Sequence, residues 1–114
     1  ARYECGKPLL SCNKFKETIV HTICRRGHTE LLRYIVLETD ISMQLVDDIG
    51  RNPLHDACWT HRPNFDLVKL LLQACPDLLY ISDNRGFTPL CYVGKACWRD
   101  WCKFLDANQE LLAP

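Results

Sequence analysis

Net charge is the first property that this sequence lacks. Its 14 lysines and arginines are balanced by 14 aspartates and glutamates, which leaves no basic excess for non-specific binding to nucleic acid or to an anionic membrane. Long hydrophobic runs are also missing, since the longest apolar stretches, such as residues 70–72, are far shorter than the roughly 20 residues of a membrane-spanning helix. We therefore expect no nucleic-acid partner and no direct insertion into a membrane.

The motifs of common catalytic and cofactor sites are missing as well. The sequence has no glycine-rich phosphate loop, no Gly-x-Ser-x-Gly and no His-Glu-x-x-His. It also has no Cys-x-x-Cys, the spacing that zinc fingers and zinc ribbons normally need. The pairs His21 with Cys24 and His55 with Cys58 are only a superficial match to a metal site. These absences predict a chain without catalytic residues, cofactor or metal.

What the sequence does contain is an internal repeat. Residues 50–58 read GRNPLHDAC, residues 86–94 read GFTPLCYVG, and residues 16–24, KETIVHTIC, fall in the same register. Each copy continues into an apolar run at helical spacing. The equivalent positions are Leu31, Leu32 and Ile35, then Leu67, Val68 and Leu71, then Trp101, Cys102 and Leu105. Such a period predicts a stack of helical units in which each unit contacts its neighbours.

Each unit is predicted to contain two helices. Asn52-Pro53 and Thr88-Pro89 each place an N-cap residue before a proline at the first helical position, and Thr18 keeps the cap without the proline. In the third copy, the replacement of histidine by cysteine and of Cys58 by glycine is expected to weaken this first helix. The second helices are predicted near residues 29–38, 66–73 and 99–105 from their apolar stripes.

The loops between units carry their own signals. Asp-x-x-Gly occurs at residues 47–50 and 83–86, and aspartate first with glycine last favours a tight turn. In the first copy Lys16 replaces the turn glycine, which predicts a looser turn there. The second copy has two extra residues in the link between its helices, at residues 60–65.

This pattern resembles the ankyrin repeat, whose signature contains Thr-Pro-Leu-His-x-Ala. The most specific match is NPLHDA at residues 52–57, and RGHTELL at residues 26–32 has the Gly-His break that is usual between the two helices in that family. The resemblance implies an all-α solenoid of helix-turn-helix units joined by β-turn or hairpin loops. It also implies that the signature histidines, His21 and His55, form hydrogen bonds that tie neighbouring repeats together.

The repeat register divides the chain into three repeats. They are predicted at residues 13–46, at residues 47–82, and at residues 83–114 with a C-terminal tail. Residues 1–12 are predicted to be the trailing loop of a preceding unit or an N-terminal extension, because they are comparable to the loop before residue 83. This arrangement suggests that the sequence is a portion of a longer protein.

Eight cysteines are the most unusual part of the composition. Cys24 and Cys58 occupy equivalent positions where the family usually has a small buried residue, and Cys102 occupies a core position of the second helix. Cysteines buried separately in successive repeats cannot easily form disulfides. We therefore expect reduced thiols and an intracellular protein, with cytoplasm, nucleus and organelle matrix not distinguished. The state of four cysteines stays open: Cys5, Cys12, Cys75 and Cys97.

A binding surface follows from the resemblance. In the ankyrin family the turn tips and the first helices line a concave surface that binds proteins. The corresponding positions here are Arg25, Arg26, Asp48, Ile49, Arg51, Trp59, Thr60, Asn84, Arg85, Phe87 and Lys95. Exposed aromatic and arginine side chains dominate the energetics of many protein interfaces, which favours Trp59 and Phe87 as contacts. The alternative for Trp59 is packing on the link at Pro63 and Phe65.

The resulting hypothesis is a non-catalytic protein-interaction or scaffold module that docks a partner protein of unknown identity. Two alternatives stay open. One is a permanently assembled subunit whose uncapped ends are buried in a larger complex. The other is a thiol- or zinc-dependent redox protein, which only the number of cysteines and histidines favours.

Overall fold

The computed structural model describes residues 18–112. The α-helices in this range are α1 (Ile19–Arg26), α2 (Thr29–Glu38), α3 (Pro53–Cys58), α4 (Phe65–Ala74), α5 (Trp98–Ala107) and α6 (Gln109–Leu112). Short 3₁₀ helices span Pro76–Tyr80, Pro89–Tyr92 and Lys95–Cys97. No β-strand occurs between residues 18 and 112, which confirms the predicted all-α class. The predictions for residues 1–12, Cys5, Cys12 and the turn at Lys16 lie outside the described residues.

The first helices of the first two repeats begin at the predicted caps. The Thr18 hydroxyl accepts a hydrogen bond from the third residue of α1, and the Asn52 side chain accepts bonds from the amides of Leu54 and His55 in α3. Pro53 occupies the first helical position of α3, where no amide hydrogen is needed. Helix α1 ends at Gly27, whose φ of 75° is a left-handed conformation that glycine adopts without strain.

Equivalent helices of successive repeats pack on one another. Helix α1 contacts α3, and α2 contacts α4, so that the second repeat extends the first in one direction. The apolar stripes of α2 and α4 meet in the core between them, where leucine side chains are fully buried, among them Leu32, Leu67 and Leu71. Each buried leucine stabilises the fold by roughly 1.5–3 kcal/mol. This continuous core is what the helical periodicity predicts.

The turns that connect the repeats are bonded to each other. The Gly50 amide donates to the Asp47 carbonyl at 3.1 Å, and residues 83–86 form the equivalent bond at 3.0 Å, as the Asp-x-x-Gly pattern predicts. The Asn84 amide then donates to the Ile49 carbonyl at 2.8 Å. Successive turn tips are therefore held side by side along one edge of the stack.

The third repeat departs from the other two at its first helix. Thr88 makes no side-chain capping bond, contrary to the prediction, and only the 3₁₀ helix Pro89–Tyr92 forms. The backbone is extended at Val93 (ψ 126°) and at Gly94 (ψ 149°), which ends the helix after one turn. The expected weakening of this helix is confirmed, since only one 3₁₀ turn forms.

The second helix of the third repeat also buries different residues than predicted. Cys102 was expected in the core, and this prediction is wrong because its side chain is exposed. Helix α5 instead turns Trp101 and Phe104 inward. Their rings lie 5.1 and 4.7 Å from the ring of Phe65, measured between centroids. The three aromatic rings fill the space beside α4, and Cys102 follows Trp101 on the adjacent, outer side of the helix.

Candidate functional site

The two signature histidines join the repeats, as the resemblance implies. His55 Nδ1 accepts a hydrogen bond from the Asn52 amide at 3.0 Å, so the ring proton lies on Nε2, which donates to the Phe87 carbonyl at 2.9 Å. His21 repeats this arrangement toward the Arg51 carbonyl at 2.8 Å. Burial lowers the pKa of His55 below its ordinary value, despite the bond to the Phe87 carbonyl, which acts in the opposite direction. Both nitrogens of each ring are used in the fold, which makes them structural groups.

The first turn tip is stabilised from within. Asp47 accepts hydrogen bonds from the Ile49 amide at 3.0 Å and from the Arg51 amide at 2.9 Å. The Arg51 Nε donates to the Asp47 carboxylate at 2.6 Å, and the Arg51 side chain is only 17% exposed. Burial alone would lower the pKa of Arg51, but the bond to Asp47 raises it above its ordinary value. Of the predicted contacts here, Asp48 is exposed, Ile49 is half-buried and Arg51 is used internally.

The second turn tip is a network of polar side chains. Asp83 accepts the amides of Arg85 and Phe87 at 2.9 and 3.0 Å, together with the Tyr92 hydroxyl. Burial alone would raise the pKa of Asp83, but these hydrogen bonds, with the charge of Arg85, lower it to about 2. The Arg85 Nη2 donates to the Tyr92 hydroxyl at 2.7 Å, and the guanidinium lies 5.4 Å from the centre of the Phe87 ring. The network presents exposed Asn84, Arg85 and Phe87 in a fixed arrangement.

A groove of about 740 Å³ opens beside the end of α3. It exists where the third copy has no full first helix, so that the extended chain at Gly94 leaves a space opposite Trp59. Its wall also includes Arg25, Thr60, Tyr92 and Cys97. We call this space, together with the adjoining one described next, the Trp59 groove. Tyr92 connects it to the second turn tip, because its hydroxyl bonds to Asp83.

Trp59 is the most prominent apolar side chain of this groove. It follows the last residue of α3 and is 56% exposed. Of the two residues considered as its packing partners, Pro63 and Phe65, Phe65 stacks on Phe104 at 4.7 Å and meets Trp101 edge-on at 5.1 Å. More than half of the Trp59 side chain is open to solvent.

The groove continues toward the link between α1 and α2. An adjoining space of about 270 Å³ shares Arg25 and Thr60 with it and is bordered by Arg26, Arg62 and Asn64. Asn64 spans the two repeats, since its side-chain amide donates to the Gly27 carbonyl at 3.3 Å and its oxygen caps α4. The lengthened link of the second repeat thus places Arg62 beside the arginines at the end of α1.

The structure brings part of the predicted surface together. Three predicted residues line the groove itself: Arg25, Trp59 and Thr60. Arg26 borders the adjoining space, and Lys95 lies between two lining residues, Gly94 and Ala96. The predicted turn residues lie at the tips, and Phe87 is 45% exposed. His61, Arg62 and Tyr92 are among the lining residues that were not predicted from the sequence. The two-residue insertion was the available signal for His61 and Arg62.

The buried cysteines are chemically protected. Cys24 and Cys58 are buried as predicted, and burial raises the pKa of both thiols. Cys91 and Cys102 are exposed, and all six cysteines between residues 18 and 112 are free thiols. Within the same range, no group of three or more histidine, cysteine or acidic residues could hold a metal ion.

This difference in burial predicts a difference in thiol reactivity. In a timed maleimide reaction of the folded protein, we expect Cys91 and Cys102 to be modified first, and Cys24 and Cys58 at least about 100-fold more slowly, because a buried thiol forms little thiolate. Peptide mass spectrometry at each time point measures each cysteine separately. Unfolding in urea is the control and should equalise the rates. Rapid modification of Cys24 in the folded protein would contradict the described burial.

None of the helices between residues 18 and 112 combines the length and apolar character needed to cross a membrane.

Part of the chain is similar to a family of known repeat proteins. The family model for ankyrin repeats (3 copies) matches residues 2–80, which is more than half of the chain. SMC5-SMC6 complex localization factor protein 1 of Homo sapiens is 32% identical over 74 residues, and its Bos taurus counterpart is 31% identical over 74 residues. These matches cover 65% of this chain but only 7% of each relative. The family match, the paired helices and the histidine bonds between repeats lead to one conclusion: this chain belongs to the ankyrin repeat family.

Proposed function

We propose that this chain is a non-catalytic, intracellular protein-interaction module that docks a partner protein along the Trp59 groove and the adjacent turn tips. The observation that carries the proposal is the exposure of Trp59 in an open groove, next to arginine side chains. Tryptophan and arginine are enriched among the residues that contribute most to protein interfaces.

The second turn tip extends the proposed surface. Phe87 and Arg85 are held there by the network around Asp83, so their side chains are ordered before a partner binds. Ordering before binding reduces the entropy that association must overcome. Because Arg51 is engaged by Asp47, we leave it out of the proposed contacts. The predicted partition of the chain at residues 47 and 83 fits this proposal, since each boundary begins a turn tip.

The relatives support a protein as the partner. Their name describes a factor that localises a protein complex, and ankyrin repeats typically mediate protein binding. We propose by analogy that this chain also contributes to a protein assembly. The same family is generally non-catalytic, which agrees with the structural use of His21 and His55.

A second candidate is permanent assembly through the first repeat. Leu31, Tyr34 and Leu37 form an exposed stripe along α2, and Leu37 is 67% exposed. Residues spaced by three lie on one helix face. Such a stripe favours burial against another unit in a larger complex, which is the assembled-subunit alternative.

Site-specific photo-crosslinking tests the two candidates together. The photoreactive residue p-benzoylphenylalanine replaces Trp59 in the groove, Leu37 on the α2 stripe or Lys103 on α5 as the control. We expect one protein to be captured from position 59 in cells of the source organism, with little capture from position 103. Capture from position 37 instead would favour permanent assembly.

Purified components complete the test. The captured protein should bind the wild-type chain, and Trp59→Ala should weaken its affinity at least about tenfold, as for a central interface residue. Phe87→Ala should weaken it less, because Phe87 lies at the turn tip. Circular dichroism verifies that both variants are folded. Unchanged affinity in folded Trp59→Ala protein would move the interface elsewhere.

A further inference from the structure

We infer that the Trp59 groove is built for an acidic peptide segment of a partner, with one apolar side chain against Trp59 and carboxylates beside Arg25, Arg26 and Arg62. This inference rests on the proposed function and adds the chemistry of the partner. It depends on the charge of the lining residues, the open aromatic wall and the shape of the chain at Gly94.

The charge of the groove differs from that of the whole chain. Lysines and arginines equal acidic residues over the full sequence, yet the lining of the two joined spaces includes three arginines and His61 and no acidic residue. The Asp56 carboxylate lies 3.7 Å from the Arg25 guanidinium, but its side chain is only 1% exposed, so it is not at the surface of the groove. An acidic partner is therefore the complementary one.

Arginine is suited to this task by its geometry. Its planar guanidinium can form two parallel hydrogen bonds with one carboxylate. Arg26 and Arg62 have exposed side chains, and no ion pair to either of them occurs among residues 18–112. Arg25 is positioned by its contact with Asp56. The exposed side chains of Arg26 and Arg62 therefore lie along the same lining as Arg25, which contacts Asp56.

The apolar anchor point is formed by the other wall. Trp59 faces Tyr92, Ala96 and Cys97 across the groove. Cys97 is buried and its thiol donates to the His61 carbonyl at 3.3 Å, which holds the lengthened link against the third repeat. An apolar side chain entering this space would be covered by an indole on one side. Its apolar surface would be removed from water, which favours binding.

The backbone at Gly94 leaves room for a peptide. A side chain built on Gly94 would meet no atom within 4 Å, and its backbone (φ −67°, ψ 149°) is one that any residue can adopt. A larger residue at this position can therefore enter the groove without disturbing the fold. Substitution of Gly94 consequently blocks or charges the groove and leaves Trp59 and the arginines in place.

Nucleic acid is the competing anionic ligand. Single-stranded nucleic acid is bound by a positively charged channel with several aromatic platforms. This groove has one exposed tryptophan, and the chain has no basic excess to follow a phosphate backbone. A short acidic segment with one apolar side chain is a better match to a groove with one exposed tryptophan and a few arginines.

The experiment titrates the full chain with fluorescent probe peptides. The first probe has one central phenylalanine flanked by glutamates, the second has glutamines in place of the glutamates, and the third has serine in place of the phenylalanine. Fluorescence anisotropy gives each affinity at low and at high salt. We expect the acidic phenylalanine probe to bind at least about tenfold more tightly than the glutamine probe at low salt, and the difference to shrink at high salt. Loss of phenylalanine should weaken binding at least about fivefold.

Matched variants locate the binding. Arg62→Glu should weaken the acidic probe at least about tenfold, while Lys103→Glu, the same charge reversal on α5, should change it less than about twofold. Gly94→Glu should weaken it more than Gly94→Gln, because the two side chains fill similar volume and differ in charge. Circular dichroism and thermal melting verify that each variant is folded.

Several outcomes would overturn the inference. These are equal binding of the acidic and glutamine probes, no binding of any probe, or equal effects of Arg62→Glu and Lys103→Glu. Tighter binding of a single-stranded oligonucleotide than of the acidic probe would assign the groove to nucleic acid. In each case a protein captured from position 59 would still support docking, so failure of the acidic-peptide inference is distinguishable from failure of the proposed function.

Discussion

Replacing Gly50 with alanine is expected to lower the free energy of unfolding by about 3–5 kcal/mol, which sums a backbone and a steric cost. Gly50 has a φ of 82°, a left-handed conformation that is strained for alanine. An added Cβ would lie 2.5 Å from the Asn84 side-chain oxygen and 3.0 Å from the Asn84 amide nitrogen. That amide donates to the Ile49 carbonyl, so the new methyl group would push apart the two turn tips as well.

Gly86→Ala is the matched control. Gly86 has nearly the same φ, 86°, but a Cβ built there would meet nothing within 4 Å. Gly86→Ala should therefore lower the free energy of unfolding only by the backbone strain, about 1–2 kcal/mol. Urea denaturation of both variants measures the difference, which is the steric contribution at the junction of the turns. Equal losses in the two variants would contradict the described contact between Gly50 and Asn84.

A double substitution sharpens the test. Asn84→Ala removes the side-chain atoms nearest to the new methyl group but keeps the backbone bond to Ile49. In the Gly50→Ala background it should restore part of the stability, whereas in the wild-type chain it should be neutral or slightly destabilising. The two substitutions are therefore expected to be coupled, with an interaction free energy of about 1 kcal/mol or more in a double-mutant cycle.

Much of the fold was predictable because it is encoded by local signals. The caps at Thr18 and Asn52 and the glycine at position 27 each act within a few residues, and each forms as predicted. On α2, Leu32 and Ile35 are buried as the apolar run predicts, whereas Leu31 is exposed. The bonds from His21 and His55 to the next repeat were predictable only through the family resemblance. Their partners are backbone carbonyl groups 30 and 32 residues away. Because every residue has a backbone carbonyl, residue type does not indicate which one accepts the bond.

The errors arise where the third repeat was aligned with the others by residue type. Cys102 was placed in the core because it is equivalent to Leu32 and Val68 in the repeat register. In the structure the large side chains of Trp101 and Phe104 fill the core instead, since Phe104 stacks on Phe65 and Trp101 meets Phe65 edge-on. Core filling depends on side-chain volumes across elements, which a repeat alignment does not weigh.

The candidate site was predictable in part. Arg25, Trp59 and Thr60 were selected from the family surface and do share a groove. Arg62 and Tyr92 were missed because they come from the two departures from the repeat pattern, the lengthened link and the shortened third first helix. The groove is thus a consequence of these irregularities and lies where the family pattern carries least information.

The second large effect is expected at His55. Replacing it with alanine should lower the free energy of unfolding by about 3–5 kcal/mol. The ring is fully buried, and its loss would leave the Asn52 amide and the Phe87 carbonyl without their bonds. Each buried polar group left without a hydrogen-bond partner destabilises the fold by about 1–3 kcal/mol, and the cavity left by the ring destabilises it further. The edge-on contact with Tyr92, 5.1 Å between ring centres, is lost as well.

The location of the amides that lose protection distinguishes the effect of His55→Ala from a general loss of stability. His55 bonds to the turn of the third repeat, so hydrogen exchange in His55→Ala should speed up first at the amides of Gly86 and Phe87, before those of α2. His61→Ala, an exposed histidine on the link, should change stability by less than about 0.5 kcal/mol. Uniform loss of protection throughout residues 18–112 would contradict a local bond between repeats.

The pH dependence of stability gives an independent measure of the same contact. Because the pKa of His55 is lower in the folded chain than its ordinary value of 6.5, the unfolded chain binds the proton more readily. Stability from this group is present above about pH 6.5 and is lost as the pH falls through the lower pKa of the folded state. Urea denaturation between pH 7.5 and 5 should therefore show a decline in the wild-type chain and a shallower one in His55→Ala. A slope unchanged by the substitution would mean that another group produces the decline, since removal of His55 removes its proton from both states.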